Sequence, residues 1–235
     1  MRRTLCMWIA GLVTAVGASA QRAPIPTVAR DPYVGAIVVD AADGAVLFED
    51  RADAPGYPAS MLKLMGLLLV LEDVEAGRRR PDESVTVTAE AAAMGGSQVY
   101  LKEGEVFPLE ELLYAMIVQS ANDAAAAIAI HCAGTRAAFV ERMNRRAAEL
   151  GMIATRFHSV HGLPPAQGQS PDVTTARDFA RLCLHLVRRP DVFRYTSVRT
   201  RPFRGTNMVM QTHNNLLGTF PGCDGFKTGY FRAAG

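Results

Sequence analysis

The stretch Pro58-Ala59-Ser60-Met61-Leu62-Lys63-Leu64-Met65 decides how this chain is read. It opens a run, Met61 to Leu71, that is apolar on nearly every side and interrupted only by Lys63 and Gly66. A proline and a serine at the head of such a run predict a helix start, with Ser60 near the N-cap. A helix apolar all round is a buried central helix, and this run is too short to cross a bilayer. Ser60 and Lys63 share a face, because residues three apart on a helix are neighbours. An unpaired ammonium in a core is costly, and the usual relief is a lowered pKa. A neutral amine beside a serine hydroxyl is a base beside a nucleophile. On its own, Ser-x-x-Lys is better explained by a capping serine and a lysine snorkelling to solvent. Its meaning depends on what the rest of the chain supplies.

Upstream, Gly35 to Asp40 reads as a buried strand, Asp43-Gly44 as a turn and Ala45 to Glu49 as the partner strand. Downstream, Arg78-Arg79-Arg80 follows Gly77 and reads as a solvated helix end favoured by the dipole. Val85 to Thr88 is a short β stretch, and Thr88 also begins a short helix. Pro108 to Val118 is an amphipathic helix with proline and acids in its first turn. Gln119-Ser120-Ala121-Asn122-Asp123 is a tight polar turn before an alanine-rich helix, Ala124 to Ala133. Another helix starts at Gly134-Thr135 and closes at Gly151. Phe157 to Asp172, with two glycines and three prolines, is a long irregular loop. Thr175 to Asp178 fits a capping box opening a helix to about Arg189. Thr196 to Phe203 and Met208 to Thr212 read as a hairpin, and Gly225 to Phe231 as a final strand. Strands, a block of helices, then strands again predict an α+β domain with a helical insertion spanning about 80–190.

The 235 residues carry a net charge of +2, which points to neither nucleic acid nor an acidic polymer as a partner. Residues 1–20 read as a signal peptide: Arg2-Arg3, an apolar stretch from Leu5 to Gly17, then the small-x-small Ala18-Ser19-Ala20. The expectation is export to the periplasm or cell wall, with a leader at 21–31 and the folded domain from residue 32. Beyond the signal segment Cys132, Cys183 and Cys223 remain, an odd number that predicts no disulfide framework. Cys132 and Cys183 fall in apolar helical contexts and read as core.

Two further motifs line up with Ser60 and Lys63: Ser120-x-Asn122 on the tight turn and Lys227-Thr228-Gly229 on the final strand. In this order and spacing the three sets resemble the penicillin-binding protein and serine β-lactamase superfamily. The similarity is greatest to low-molecular-mass D-alanyl-D-alanine carboxypeptidases. It is carried also by His161-Gly162-Leu163, Thr174 to Asp178, His213-Asn214-Asn215 and Asp224 to Tyr230. It implies a β-lactamase/transpeptidase-like α+β fold, an antiparallel sheet flanked by helices with an all-helical subdomain. It also implies roles for single residues. Ser60 is acylated by a D-Ala-D-Ala peptide, Lys63 is the base, and Ser120 relays a proton to the leaving D-alanine. Asn122 holds the substrate backbone and the Lys63 amine, and Lys227 adds positive charge. Thr228 binds the terminal carboxylate, and Gly229 lets substrate approach. The backbone N–H groups of Ser60 and Tyr230 form the oxyanion hole. No cofactor is implied. The expected partners are the peptidoglycan stem peptide as substrate and β-lactams as inhibitors.

Rival readings are weaker. A class A β-lactamase uses a glutamate-activated water, and no glutamate follows Glu149. There is no Gly-x-Ser-x-Gly elbow for a Ser-His-Asp hydrolase. His158 and His161 are spaced as metal ligands are, but they have no third-ligand pattern, so a hydrogen-bonded structural role is expected. A DD-endopeptidase would share all the motifs. A non-catalytic penicillin-binding module or inactive fragment is the rival from another class. Relatives continue past Lys-Thr-Gly with two more strands and a C-terminal helix, so the chain is expected to be truncated before them. The Lys227 strand is then left with an open edge, and membrane association would need a C-terminal anchor that is missing.

Overall fold

The computed structural model describes residues 33–205 and 208–234; the predicted signal peptide and leader lie outside the described residues. In chain order the elements begin with β1 (Ala36–Val39), β2 (Val46–Asp50), α1 (Lys63–Glu75), β3 (Ser84–Thr86), α2 (Ala89–Ala92) and β4 (Val106–Pro108). They continue with α3 (Leu109–Ile117), α4 (Asn122–Ala133), α5 (Arg136–Glu149), α6 (Ala176–Val187), α7 (Phe193–Thr196), β5 (Thr200–Phe203) and β6 (Met208–Gln211).

Helix α1 is the centre. Leu64, Met65, Leu67, Leu68 and Val70 are fully buried against α3, α4, α5 and α6. Burying side chains of this size contributes about 1.5–3 kcal/mol each, which is why an all-round apolar helix takes the middle position. The entry to α1 differs from expectation. A single 3-10 turn, Ala59–Leu62, precedes it, and Leu62 rather than Ser60 takes the N-cap position, with no side-chain cap. The tighter turn leaves the Ser60 hydroxyl facing Lys63 at 2.8 Å and the His161 carbonyl at 3.4 Å, not an N–H of its own helix. The other helix starts follow local chemistry. Thr88, Thr135 and Thr175 accept from the N–H of Ala91, Ala138 and Asp178, and Glu110 and Glu111 sit in the first turn of α3, after Pro108.

The arginine cluster is not simply solvated. Arg78 and Arg142 converge on Asp73, only 2% exposed, at 2.7 Å each. Arg79 donates to the carbonyls of His131 and Cys132 at the end of α4. Glu72 accepts from Arg146 at 2.8 Å and Arg189 at 3.3 Å, fastening α1 to α5 and to the segment after α6. Cys132 is buried, and Cys183 packs against the core.

The sheet content is three separate antiparallel pairs, β1–β2, β3–β4 and β5–β6. The α+β class holds, but the strands do not join into one sheet among the described residues. Thr196 ends the short helix α7 rather than beginning a strand, because the Pro190-Asp191-Val192 turn starts a helical segment that continues through it. Gly225 to Phe231 is not a strand either: no backbone hydrogen bond pairs it with another segment among the described residues. It is held instead by side chains. Thr196 Oγ1 donates to the Asp224 carbonyl at 3.1 Å, and Asn214 Nδ2 to the Gly225 carbonyl at 3.1 Å. The Phe193–Phe226 and Tyr57–Phe231 ring pairs, both at 5.8 Å, secure its two ends.

Candidate active site

Three segments meet at the Lys63 amine. The first is the 3-10 turn carrying Ser60; Lys63 follows one turn on and is completely buried. The second is the start of α4, where the polar turn Gln119 to Asp123 delivers Asn122. The third is the loop after α5, which brings the His161 carbonyl. Lys63 Nζ lies 2.8 Å from Ser60 Oγ, 2.7 Å from Asn122 Oδ1 and 3.0 Å from the His161 carbonyl oxygen. Asn122 is oriented by its own amide, whose Nδ2 donates to the Gly95 carbonyl at 2.7 Å.

The backbone is strained at two corners of this cluster. Ala59 and Ser120 hold left-handed φ values of 46° and 61°, a conformation that costs on the order of 1 kcal/mol or more without glycine. Gly162, at φ 77°, presses on the Ala59 backbone, where any Cβ would collide with the Ala59 carbonyl. A Cβ on Gly229 would stand 2.7 Å from the Pro58 carbonyl oxygen and 2.8 Å from the Ser60 nitrogen. The Lys227-Thr228-Gly229 segment therefore lies directly on the turn that carries Ser60.

Burial holds the Lys63 amine well below the usual lysine range; the charge of Lys227 adds to this and Asp123 opposes it. Burial also pushes Lys227 down to about 8. His161 is pulled to about 4 by burial, then by Lys63 and Arg136, and its Nδ1 accepts the Leu163 N–H at 3.1 Å. The ring is thus neutral with its proton on Nε2, and it is the carbonyl of His161 that faces the cluster. Among the described residues no group of three His, Cys, Asp or Glu side chains could hold a metal ion.

Of the residues singled out in the sequence, Lys63 contacts both Ser60 and Asn122, and Gly229 packs on the backbone of the Ser60 turn. Ser120 is buried beside Asn122, but its hydroxyl bonds to none of the described residues. Lys227 Nζ donates to the neighbouring Thr228 carbonyl at 2.7 Å rather than to Ser120. Tyr230 is 77% exposed. Three contributors went unnoticed in the sequence. The His161 carbonyl is one, since only its ring had been weighed. The Gly95–Leu101 loop is the second. The third is buried Asp123, which accepts from the N–H groups of Val99 and Leu101 and so ties that loop to α4. The Gly95-Gly96 pair was the one available signal.

The chain is similar to proteins that are already known. The chain is 31% identical over 198 residues to the D-alanyl-D-alanine carboxypeptidase DacF of Bacillus subtilis, covering 83% of this chain and 50% of that protein. It is 33% identical over 219 residues to DacA of Escherichia coli, covering 90% and 52%. It thus spans about half the length of these curated relatives. Among solved structures, penicillin-binding protein 6B of Escherichia coli superposes with a TM-score of 0.77 at 32% identity, covering 90% of this chain and 68% of that one. Penicillin-binding protein D2 of Listeria monocytogenes, in an ampicillin-bound form, gives 0.76 at 32% identity, covering 86% and 81%. Residues 25–235 match the family of serine peptidases described as D-alanyl-D-alanine carboxypeptidase, peptidase family S11, and the chain belongs to that family.

Proposed function

We propose that the chain forms the acyl-transfer domain, residues 32–235 with a helical subdomain at about 80–190, of an exported serine D-Ala-D-Ala carboxypeptidase. Its substrate is the pentapeptide stem of peptidoglycan, and it acts in the periplasm or at the cell wall. The observation that carries this reading is the buried Lys63 amine, bonded to Ser60 and depressed by burial. A lysine kept neutral is a base at physiological pH, and proton removal by a positioned base contributes about 10²–10⁴-fold in rate.

Ser60 Oγ attacks the carbonyl of the D-Ala-D-Ala bond while its proton passes to Lys63. The N–H groups of Ser60 and Tyr230 take up the developing oxyanion; the closeness of Gly229 to the Ser60 nitrogen supports that pairing. Ser120, whose hydroxyl is uncommitted, returns a proton to the leaving D-alanine. Asn122 and Thr228 hold the substrate, and protonated Lys227 favours its terminal carboxylate. Water then releases the shortened peptide. β-Lactams enter the same pathway as inhibitors; the similar Listeria protein has been solved in an ampicillin-bound form. The chemistry calls for no cofactor.

Release of D-alanine from a pentapeptide by the purified protein tests the reading. Stoichiometric acylation by penicillin without D-alanine release would favour a penicillin-binding module or an endopeptidase, and 29% identity to the D-alanyl-D-alanine endopeptidase of Escherichia coli keeps the latter as second reading.

A further inference from the structure

A neutral amine has two N–H donors and one lone pair. Around Lys63 Nζ, Asn122 Oδ1 and the His161 carbonyl can only accept, so they consume both N–H groups. The lone pair is then left for Ser60, whose hydroxyl donates to it across 2.8 Å in preference to its other acceptor, the same His161 carbonyl, at 3.4 Å. Without the His161 carbonyl, one N–H is free to donate to Ser60 Oγ, and the hydrogen bond runs the wrong way for proton removal.

What fixes that carbonyl is not secondary structure, because residues 157–163 make no backbone–backbone hydrogen bond among the described residues. Side chains do the work: Asn144 holds the N–H and carbonyl of Phe157, both at 2.8 Å, and Ser159 and Asp172 hold residues 158–162. Ser159 Oγ accepts from the N–H of Gly162 at 2.8 Å and of His161 at 3.3 Å, and donates to Asp172 Oδ2 at 2.7 Å. That uses its one donor and both acceptor positions. Buried Asp172 closes the clamp by accepting from the N–H of His158 at 2.6 Å and of Ser159 at 2.9 Å.

We propose that Ser159, clamped by Asp172, is a positioning residue: it sets the His161 carbonyl on Lys63 and so aims the amine's lone pair at Ser60. The inference rests on Lys63 being the base. No hydrogen bond joins Ser159 or Asp172 to Ser60 or Lys63, so the effect reaches the amine through the 161–162 backbone that Ser159 holds.

The test compares the parent with Ser159→Ala and Ser159→Thr in penicillin acylation, separating noncovalent binding from the acylation rate constant. It also follows the Lys63 titration by NMR of lysine labelled with carbon-13 at Cε. Displacing a reacting group by about 1 Å can cost roughly 100-fold. Ser159→Ala is therefore expected to lose about 10–100-fold in the acylation step with unchanged binding, and Ser159→Thr, which keeps the hydroxyl, to recover most of it. The Lys63 pKa should fall further in Ser159→Ala, since an acceptor favouring the ammonium is lost. The other groups facing Lys63, namely Ser60, Asn122, Asp123, the His161 ring, Lys227 and His213, are the same in all three proteins. Slower acylation together with a lower pKa is a pairing that simple loosening of the fold does not give.

Acylation of Ser159→Ala at the parent rate, a loss shared equally by binding, or an unmoved Lys63 pKa would overturn the proposal. Lys63→Ala acylating at the parent rate would instead sink the base assignment. A parent that is not acylated at all would sink the proposed function, and the Lys63 titration in Ser159→Ala would still decide whether the clamp acts on the amine.

Discussion

Replacing Lys63 with methionine turns the proposed charge state of the amine into a stability measurement. Lysine in the unfolded chain titrates near 10.4, whereas burial holds Lys63 well below the ordinary value in the native state. Between those two pKa values the unfolded state carries a proton that the native state lacks. Stability of the parent therefore rises with pH, with a slope approaching ~1.4 kcal/mol per pH unit. Lys63→Met has no such proton to bind. It also leaves Asn122 Oδ1 and the His161 carbonyl without their donor, at about 1–3 kcal/mol each, but that cost does not vary with pH. Lys227, held at about 8 in the native state, adds a slope of its own over this range, but it is present in both proteins, so that contribution cancels in the difference. The assay is urea unfolding of parent and variant at intervals from pH 8.5 to 10. The parent is expected to gain on the variant throughout, so that Lys63→Met compares most favourably at the lowest pH. A difference in unfolding free energy that stays flat across the range would show a protonated native Lys63 and refute the reasoning.

Three other perturbations follow from the geometry. Gly229→Ala puts a methyl group 2.7–2.9 Å from the backbone of Pro58, Ser60 and Met61, so the Lys227 segment must lift and penicillin acylation should fall at least 10-fold, read by stopped-flow fluorescence. Lys227 loses its charge as pH rises through about 8, so KM for a carboxylate-ended peptide should climb above that pH, and KM for an amidated peptide should not. Asp73→Ala takes the shared carboxylate from Arg78 and Arg142, which stay solvated or bonded to carbonyls, and should cost about 1–3 kcal/mol in urea unfolding while leaving the acylation rate of the folded protein unchanged.

The helical half of this protein was legible in its sequence because its signals are local. Pro108, Thr135 and Thr175 mark helix starts by chemistry that acts within one turn, and the apolar run after Lys63 can only be a core helix. What was less legible depends on distant partners. Gly225 to Phe231 has the composition of a strand, but a strand exists only where another segment pairs with it, and here Thr196, Asn214 and aromatic rings hold the segment instead. Thr196 itself was misplaced because a β-branched residue before a strand reads as β, whereas the preceding turn continues a helix through it. The same division applies to the site. Motif spacing singles out Ser60, Lys63 and Asn122, which the fold brings together, since side chains carry their chemistry in their names. The His161 carbonyl could not be found that way, because every residue has a carbonyl and only the fold says which one faces the amine.

The central claim is that Ser60 is a nucleophile activated by the buried Lys63. It is tested most directly by treating the protein with benzylpenicillin and locating the adduct by mass spectrometry of the digested chain. One penicilloyl group on the peptide carrying Ser60, formed by the parent and lost or slowed at least 100-fold in Lys63→Ala, is the expected result. An adduct on another residue, or a Lys63→Ala variant labelled at Ser60 as fast as the parent, would contradict it.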